Sequence, residues 1–279
     1  MTYGWAILII AVVLGALFQL GIFNSATFTP KAPPGACHVF RPNGPGTTSF
    51  INTQGICNGE LPQYVAKFNG AGSITVQSNN QITNYKNKIT YVIWFNPSIS
   101  SSTMSDTGFM SQVTGNNEYI DFLLHAGYLR YEVVNFSDIA NQGGSFLTIS
   151  PVSAGSWYQA ALTYDGATLT GYLNGVFQAS RTLNTNMPTN TNPLLLGYYV
   201  NYFKGSLVNA QIYNSTLSAN EITALYNGGI GAAPIKLSNL VGWWPLNGDV
   251  KDYSGNNNNG VPTTGVTFMS NWESGYSAP

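Results

Sequence analysis

Charge is scarce in this chain. Only 8% of its 279 residues are Asp, Glu, Lys or Arg, and the formal net charge is −1. No stripe of Lys and Arg exists to track a phosphate backbone, so nucleic acid is not expected as a partner. Histidine is almost missing too. His38 and His125 are far apart in sequence, and His125 follows the end of an expected strand, which reads as a packed residue rather than a base. No Ser-His-Asp or metal-ligand spacing accompanies them. The few carboxylates do not group: Glu118 and Asp121 are three apart, which puts them on opposite strand faces, and Glu132 stands alone. Catalysis is therefore not expected.

Cysteine is limited to Cys37 and Cys57. The segment between them is rich in turn formers (Pro42, Gly44, Pro45, Gly46 and Asn52). With an export segment upstream, a disulfide is the expectation. On the chain-entropy model it is worth roughly 3 kcal/mol. Two reduced thiols are the alternative, and a metal would need more ligands.

What the chain has instead of charge is Asn, Ser, Thr, Gln and Tyr. An uncharged polar coat suits a secreted or cell-surface protein, and N-x-S/T sequons place glycosylation at Asn135 and Asn214.

One long apolar run opens the chain. Trp5 to Phe23 is interrupted by only one strongly polar residue, Gln19, and no charge precedes Lys31. About 20 such residues form a membrane-crossing or buried helix. A cleaved signal peptide, a single-span anchor and an assembly helix are the three readings. The opening Met1-Thr2-Tyr3-Gly4-Trp5-Ala6-Ile7-Leu8-Ile9 resembles the start of archaeal type IV pilin-like proteins. In that family this segment follows a short signal and a glutamate, which would lie upstream of Met1. The resemblance implies a helix, residues 1–23, that sits in the membrane before assembly and then joins a filament core as a homo-oligomer. Small residues recur along it. Ala11 and Gly15 form a small-xxx-small pair, and Gln19 falls on the same face, able to hydrogen-bond between helices. Pro30, Pro33 and Pro34 then make residues 24–36 a semi-rigid extended linker.

The rest reads as short strands. Trp157–Val176 is the clearest stretch, two strands joined at Asp165-Gly166 with a second turn at Asn174-Gly175, both type I′ hairpin signals. Tyr64–Val76 is a strand, an Asn69-Gly70 turn and another strand. Lys88–Ile99 is a strong strand that Pro97 ends. Shorter strands fall at 109–113, 119–124, 129–134, 146–149, 193–199 and 206–213. One short helix, 219–226, carries a capping box at Ser218 and Glu221, and Gly228 stops it. The expected class is mainly β, a sandwich or barrel.

The order YVAKFNGAGSITV, ITYVIWFNP, GSWYQAALTYDGATLTGYLNGV, GSLVNAQIYNSTLSANEITALYNGG resembles the concanavalin A-like, laminin-G-like lectin/glucanase superfamily. The resemblance implies a two-sheet antiparallel jelly roll that binds sugars or proteins. Glycanases of that superfamily aim acids at i, i+2 and i+4 of one strand into a cleft, and no such set is present here. Related domains often hold Ca²⁺ with Asp, Asn and backbone oxygens. The corresponding expectation falls on Asp249, Asp252, Asn256 and Asn257, with an Asx-rich turn that satisfies its own backbone as the alternative. The segment LVGWWPLNGDVKDYSGNNNNGV resembles the part that usually opens such a domain, yet here it comes last. The expectation is one sandwich over 37–279, with 240–279 as a permuted closing segment. Tyr198, Tyr199 and Tyr202 are candidates for stacking on sugar rings, with sheet packing as the alternative. Together these readings give a filament subunit that displays a lectin-like sandwich for adhesion. The alternative is a singly anchored glycan- or protein-binding module.

Overall fold

Alternation of apolar side chains sorts the strands into two sheets. The computed structural model describes residues 61–79, 82, 88–99, 106–114, 117–133, 146–183, 192–277 and 279. The strands are β1 (Val65–Asn69), β2 (Ile74–Val76), β3 (Ile89–Pro97), β4 (Thr107–Thr114), β5 (Asn117–His125), β6 (Tyr128–Val133), β7 (Phe146–Pro151), β8 (Tyr158–Tyr164), β9 (Thr168–Leu173), β10 (Val176–Thr182), β11 (Leu194–Leu196), β12 (Lys204–Tyr213), β13 (Leu240–Trp244), β14 (Gly260–Pro262) and β15 (Val266–Met269). Sheet A runs β10-β9-β8-β3-β12-β1-β15, with β13 also on β12. Sheet B runs β14-β2-β11-β4-β5-β6-β7. All named pairings are antiparallel, the architecture expected of a jelly-roll sandwich. The expected helix over 1–23 and linker over 24–36, with Cys37, Cys57 and Asn135, fall outside the described residues. Among the described residues no helix is long and apolar enough to cross a membrane.

The inner faces meet in one apolar layer. Sheet A sends in Phe68, Tyr91, Phe95 and Leu162, and sheet B answers with Phe109, Phe122 and Tyr131. Phe95 and Phe109 meet across the gap with ring centroids 4.3 Å apart. The Tyr131 hydroxyl, buried at this layer, donates to Tyr172 O at 2.7 Å, so its polar end is satisfied.

Three turns differ in kind. Asn174 and Gly175 both have positive φ and join β9 to β10 as the expected two-residue turn. At Asp165-Gly166 only Gly166 has positive φ, and the connection is three residues long. There the Asp165 carboxylate accepts from the backbone N–H of Ala167 and Thr168, at 2.9 and 2.7 Å, an Asx turn in place of type I′. The Asn69-Gly70 turn makes no hairpin: β1 enters sheet A and β2 enters sheet B, so this turn crosses between layers.

The outer face of sheet A is apolar and the chain covers it twice. Helix α1 (Ala219–Asn227) starts at the expected capping box: Ser218 N donates to Glu221 Oε2 at 2.8 Å, and Glu221 N donates to Ser218 Oγ at 3.4 Å. Its Ile222 and Leu225 pack with Val92, Ala161, Tyr213 and Trp243. The second cover is the strap 270–277. Trp272 packs on Trp157 and Tyr276 on Trp94, while Tyr226 of α1 stacks on the same Trp94 at 5.6 Å. Trp272 Nε1 donates to Pro62 O at 2.8 Å, and Trp157 N donates to Gly275 O at 3.1 Å.

Candidate functional site

Sheet B turns a different set of residues outward. In β5, Ile120, Phe122 and Leu124 face the core, so Asp121, Leu123 and His125 share the outer face. Ala126 and Gly127, both with positive φ, turn the chain into β6. That two-residue turn sets the register Asp121↔Glu132, Leu123↔Arg130 and His125↔Tyr128. Residues directly opposite across an antiparallel pair lie on one face, so Glu132 does not stand alone: it is the cross-strand neighbour of Asp121. On the other side Ser111 pairs with Asp121, and beyond Glu132 comes Phe146. The outer face thus holds one row, Ser111–Asp121–Glu132–Phe146. Ser111 and Asp121 are 0% exposed and Glu132 is 4% exposed. Arg130 Nε pairs with Glu132 Oε1 at 2.5 Å, and its guanidinium lies 3.6 Å above the Phe146 ring centre. Arg181 reaches the same place, donating to Phe146 O at 3.1 Å.

The same face ends in an open rim. Asp106 stands one step beyond the Thr107–Leu124 pair, opposite His125, and its Oδ1 lies 2.5 Å from His125 Nδ1. The imidazole is 45% exposed, so His125 is a paired rim residue and not the packed one the sequence suggested. Backbone links tie the tyrosine loop to this corner. Asn201 N donates to Asp106 O at 3.0 Å, and Asn201 bridges Thr107. The approach depends on glycine: a Cβ on Gly108 would collide with Tyr198 O and Ser111 Oγ, and one on Gly197 with the Phe68 ring.

The three candidate tyrosines divide. Tyr198 and Tyr202 face each other with centroids 4.7 Å apart, and Tyr202 is 43% exposed. Tyr199 is buried. Tyr128, opposite His125, is exposed on the neighbouring turn. The corner therefore offers exposed aromatic rings beside an imidazole–carboxylate pair. Sequence reasoning missed Asp106, Ser111 and Arg130. The apolar alternation of β5 and the Ala126-Gly127 turn were the signals that place the face.

The loop 249–259 is a hydrogen-bond knot. Asp252 Oδ1 accepts from Trp243 N and Ser254 N, at 3.0 and 2.8 Å. Its Oδ2 accepts from Ser254 Oγ and Asn258 N, at 2.8 and 2.9 Å. Asp249 takes Lys251 N and the Tyr253 hydroxyl. Burial, and then the Asp249 carboxylate, push the Tyr253 phenol up to about 12. Asn256 Nδ2 donates to Leu240 O and Val241 O. Asn257 is exposed with φ of 59° and closes the turn. With all four lone-pair positions of Asp252 filled by the chain's own donors, this set does not fit a calcium ion. Among the described residues no group of three or more His, Cys, Asp or Glu is placed to hold a metal.

Asn214 is exposed where β12 leads to α1, and its Oδ1 accepts from Asn239 Nδ2 at 3.1 Å.

This chain belongs to the concanavalin A-like lectin/glucanases superfamily, whose laminin-G-type family model matches residues 68–223. Its fold is shared with a Bacteroides ovatus protein assigned as carbohydrate binding, at TM-score 0.56 and 15% identity over 75% of this chain. This chain spans 60% of the length of that protein. The heptameric SAP-like pentraxin of Limulus polyphemus is similar at TM-score 0.53 and 14% identity, over 75% of this chain and 95% of the pentraxin. No curated protein matches the chain in sequence.

Proposed function

We propose that the chain is a cell-surface glycan-binding module, with the sheet B rim as its binding edge. One observation carries this: Tyr198, Tyr202 and Tyr128 present aromatic surface beside the exposed His125–Asp106 pair. Sugar rings have apolar faces that stack on aromatics and hydroxyls that take hydrogen bonds, and this corner supplies both. Membership of a lectin-containing superfamily supports the reading. A panel of immobilised neutral and acidic glycans tests it. Tyr202→Ala is expected to weaken the best ligand by about fivefold, an aromatic contact being worth roughly 1 kcal/mol, with the melting curve unchanged. Failure of every glycan to bind rejects the reading.

Display at the surface rests on the pilin-like helix 1–23 and its Ala11, Gly15, Gln19 face. A filament subunit and a single-span anchor both place the sandwich outside, at the end of linker 24–36. Native material separates them. Gly15→Leu is expected to abolish filaments while leaving the sandwich folded; monomers in lipid from the wild type would remove the filament reading. Asn135 and Asn214 are proposed glycan acceptors, read by intact mass. The Cys37–Cys57 bridge is tested by mass before and after reduction.

A further inference from the structure

The loop between β11 and β12 keeps an aliphatic side chain in water. Residues 198–203 read YYVNYF. Tyr199 and Phe203 are buried, and the Asn201 backbone is tied to Asp106 and Thr107. Alternation leaves Tyr198, Val200 and Tyr202 as the outward set. Tyr198 and Tyr202 form an antiparallel bridge, and Val200 stands at the tip between them, 57% exposed. Among the described residues six large hydrophobic side chains are exposed, and Tyr128, Val200 and Tyr202 of this corner are three of them. Apolar side chains gathered in this way mark a contact surface. The rings alone would stack on the C–H face of any sugar. Val200 adds a demand: a hydroxyl set against it would give up its bonds to water and gain none, whereas a methyl group would lose nothing. Cations close in the chain are directed elsewhere. Arg130 has its Nε on Glu132 and its plane on Phe146, and Lys204, two residues past Tyr202, lies along Gly70 in sheet A. The carboxylate beside the rings, Asp106, is paired with His125.

Resting on the glycan reading, we propose that the rim selects an uncharged sugar that carries a methyl group, as an N-acetyl or a 6-deoxy substituent, and that Val200 is the residue that reads it. The tyrosines take the apolar face of the pyranose, and the methyl meets the valine. The loop is already tied at Asn201, and valine has few rotamers to lose, so little ordering is needed on binding. An acidic sugar would bring its carboxylate beside Asp106 with no guanidinium or ammonium aimed at it.

The test measures binding of the full chain to sugars immobilised through the anomeric carbon: galactose, N-acetylgalactosamine and galacturonic acid, and L-galactose beside L-fucose, its 6-deoxy form. A methyl-bearing sugar is expected to bind about fourfold tighter than its parent, the factor for burying one methyl-sized group. A preference confined to N-acetylgalactosamine assigns the amide methyl, and one confined to L-fucose assigns the 6-deoxy carbon. Galacturonic acid is expected to bind more weakly than galactose. Val200→Thr keeps the branching and exchanges one methyl for a hydroxyl. It is expected to bring each pair to near parity, with galactose affinity and melting temperature unchanged. Val261→Thr, at an equally exposed valine on the edge strand β14, is expected to leave the preference intact. Failure of every sugar to bind removes the glycan reading and the selection with it. Binding without a methyl preference, a preference that survives Val200→Thr, or galacturonic acid as the tightest ligand overturns the selection and leaves the glycan reading standing.

Discussion

Sheet A turns Val92, Trp94, Ala161 and Tyr213 outward, and the chain spends α1 and the strap 270–277 on burying them. Sheet B turns Ser111, Asp121, Arg130 and Glu132 outward and ends in the Tyr198, Tyr202, His125 corner. The two faces come from one rule, alternation, applied to different residues. On sheet A the outward set is nearly as apolar as the inward set, so only a second layer makes it stable in water. On sheet B the outward set carries the hydroxyl and charged side chains, and the helix and the strap pack on the other sheet.

Cutting the cover of sheet A is the harshest way to break this contrast. Removing 240–279 takes away β13, β14, β15 and the strap, leaving β1 and β2 without their edge partners. The expected outcome is loss of cooperative unfolding and rapid proteolysis; a truncated chain with the wild-type melting curve would refute an integral role for this segment. Within that segment, Trp244 is fully buried and donates to Asn258 O at 2.8 Å. Trp244→Ala is expected to cost about 4 kcal/mol by denaturant titration, in the range for emptying a large core site.

Asn209 comes next. It sits at a bulge in β12 with φ of 53°, and its Nδ2 donates to Ile230 O and Ala232 O at 3.0 and 2.9 Å. Its Oδ1 accepts from Trp243 Nε1 and Gln211 Nε2. Asn209→Ala orphans buried partners, and about 3 kcal/mol is expected. The same measurement on Tyr202→Ala should move stability by less than about 0.5 kcal/mol, as for surface positions generally. Similar losses from the two variants would erase the division between faces.

The α1 cap gives a smaller effect and a pH signature. Ser218→Ala is expected to cost about 1 kcal/mol. Partial burial raises the Glu221 carboxyl, but Lys236 and Ser218 outweigh it and hold it below its ordinary value. A depressed folded value contributes stability above the unfolded pKa and loses it as pH falls through the folded one. The wild type should therefore lose this increment in acid and Glu221→Gln should not, read from melting curves between neutral pH and pH about 3. At the other end of the scale, Tyr253 is pushed up to about 12 by burial and by Asp249. A raised value contributes fully below the ordinary phenol range and is lost as pH rises through the folded value. Tyr253→Phe is expected to flatten the alkaline loss of stability between pH about 10 and 12.

Much of the scaffold was legible in the sequence because local signals coincide with it. Ser218 and Glu221 form the capping box, Asn174-Gly175 makes the I′ turn, and the alternation of Ile89–Phe95 marks a sandwich strand. Asn69-Gly70 turns the chain between two strands as expected, but a turn dipeptide fixes local bending and not the partner of the strand that follows. The sheet B row was hidden for a related reason. Asp121 and Glu132 are unremarkable separately and become neighbours only through the register that Ala126-Gly127 imposes. His125 looked packed because its partner Asp106 belongs to another strand pair's approach. The Asx knot drew attention as a metal loop because composition does not reveal how many oxygens the backbone has already taken.

The pairing of β1 with β15, from Val65↔Met269 to Phe68↔Val266, joins the first described strand to the last. A chain that must meet its own far end folds slowly, since loop closure precedes the reward of contact. During synthesis, the edges of β1 and β2 stay open until residues 260–269 emerge. In that interval the half-built sandwich offers two open strand edges to any neighbour, a known route to misassembly. The protein is therefore expected to need shielding by a chaperone until its last strands are made, and refolding of the isolated chain at high concentration should compete with aggregation more strongly than its final stability suggests.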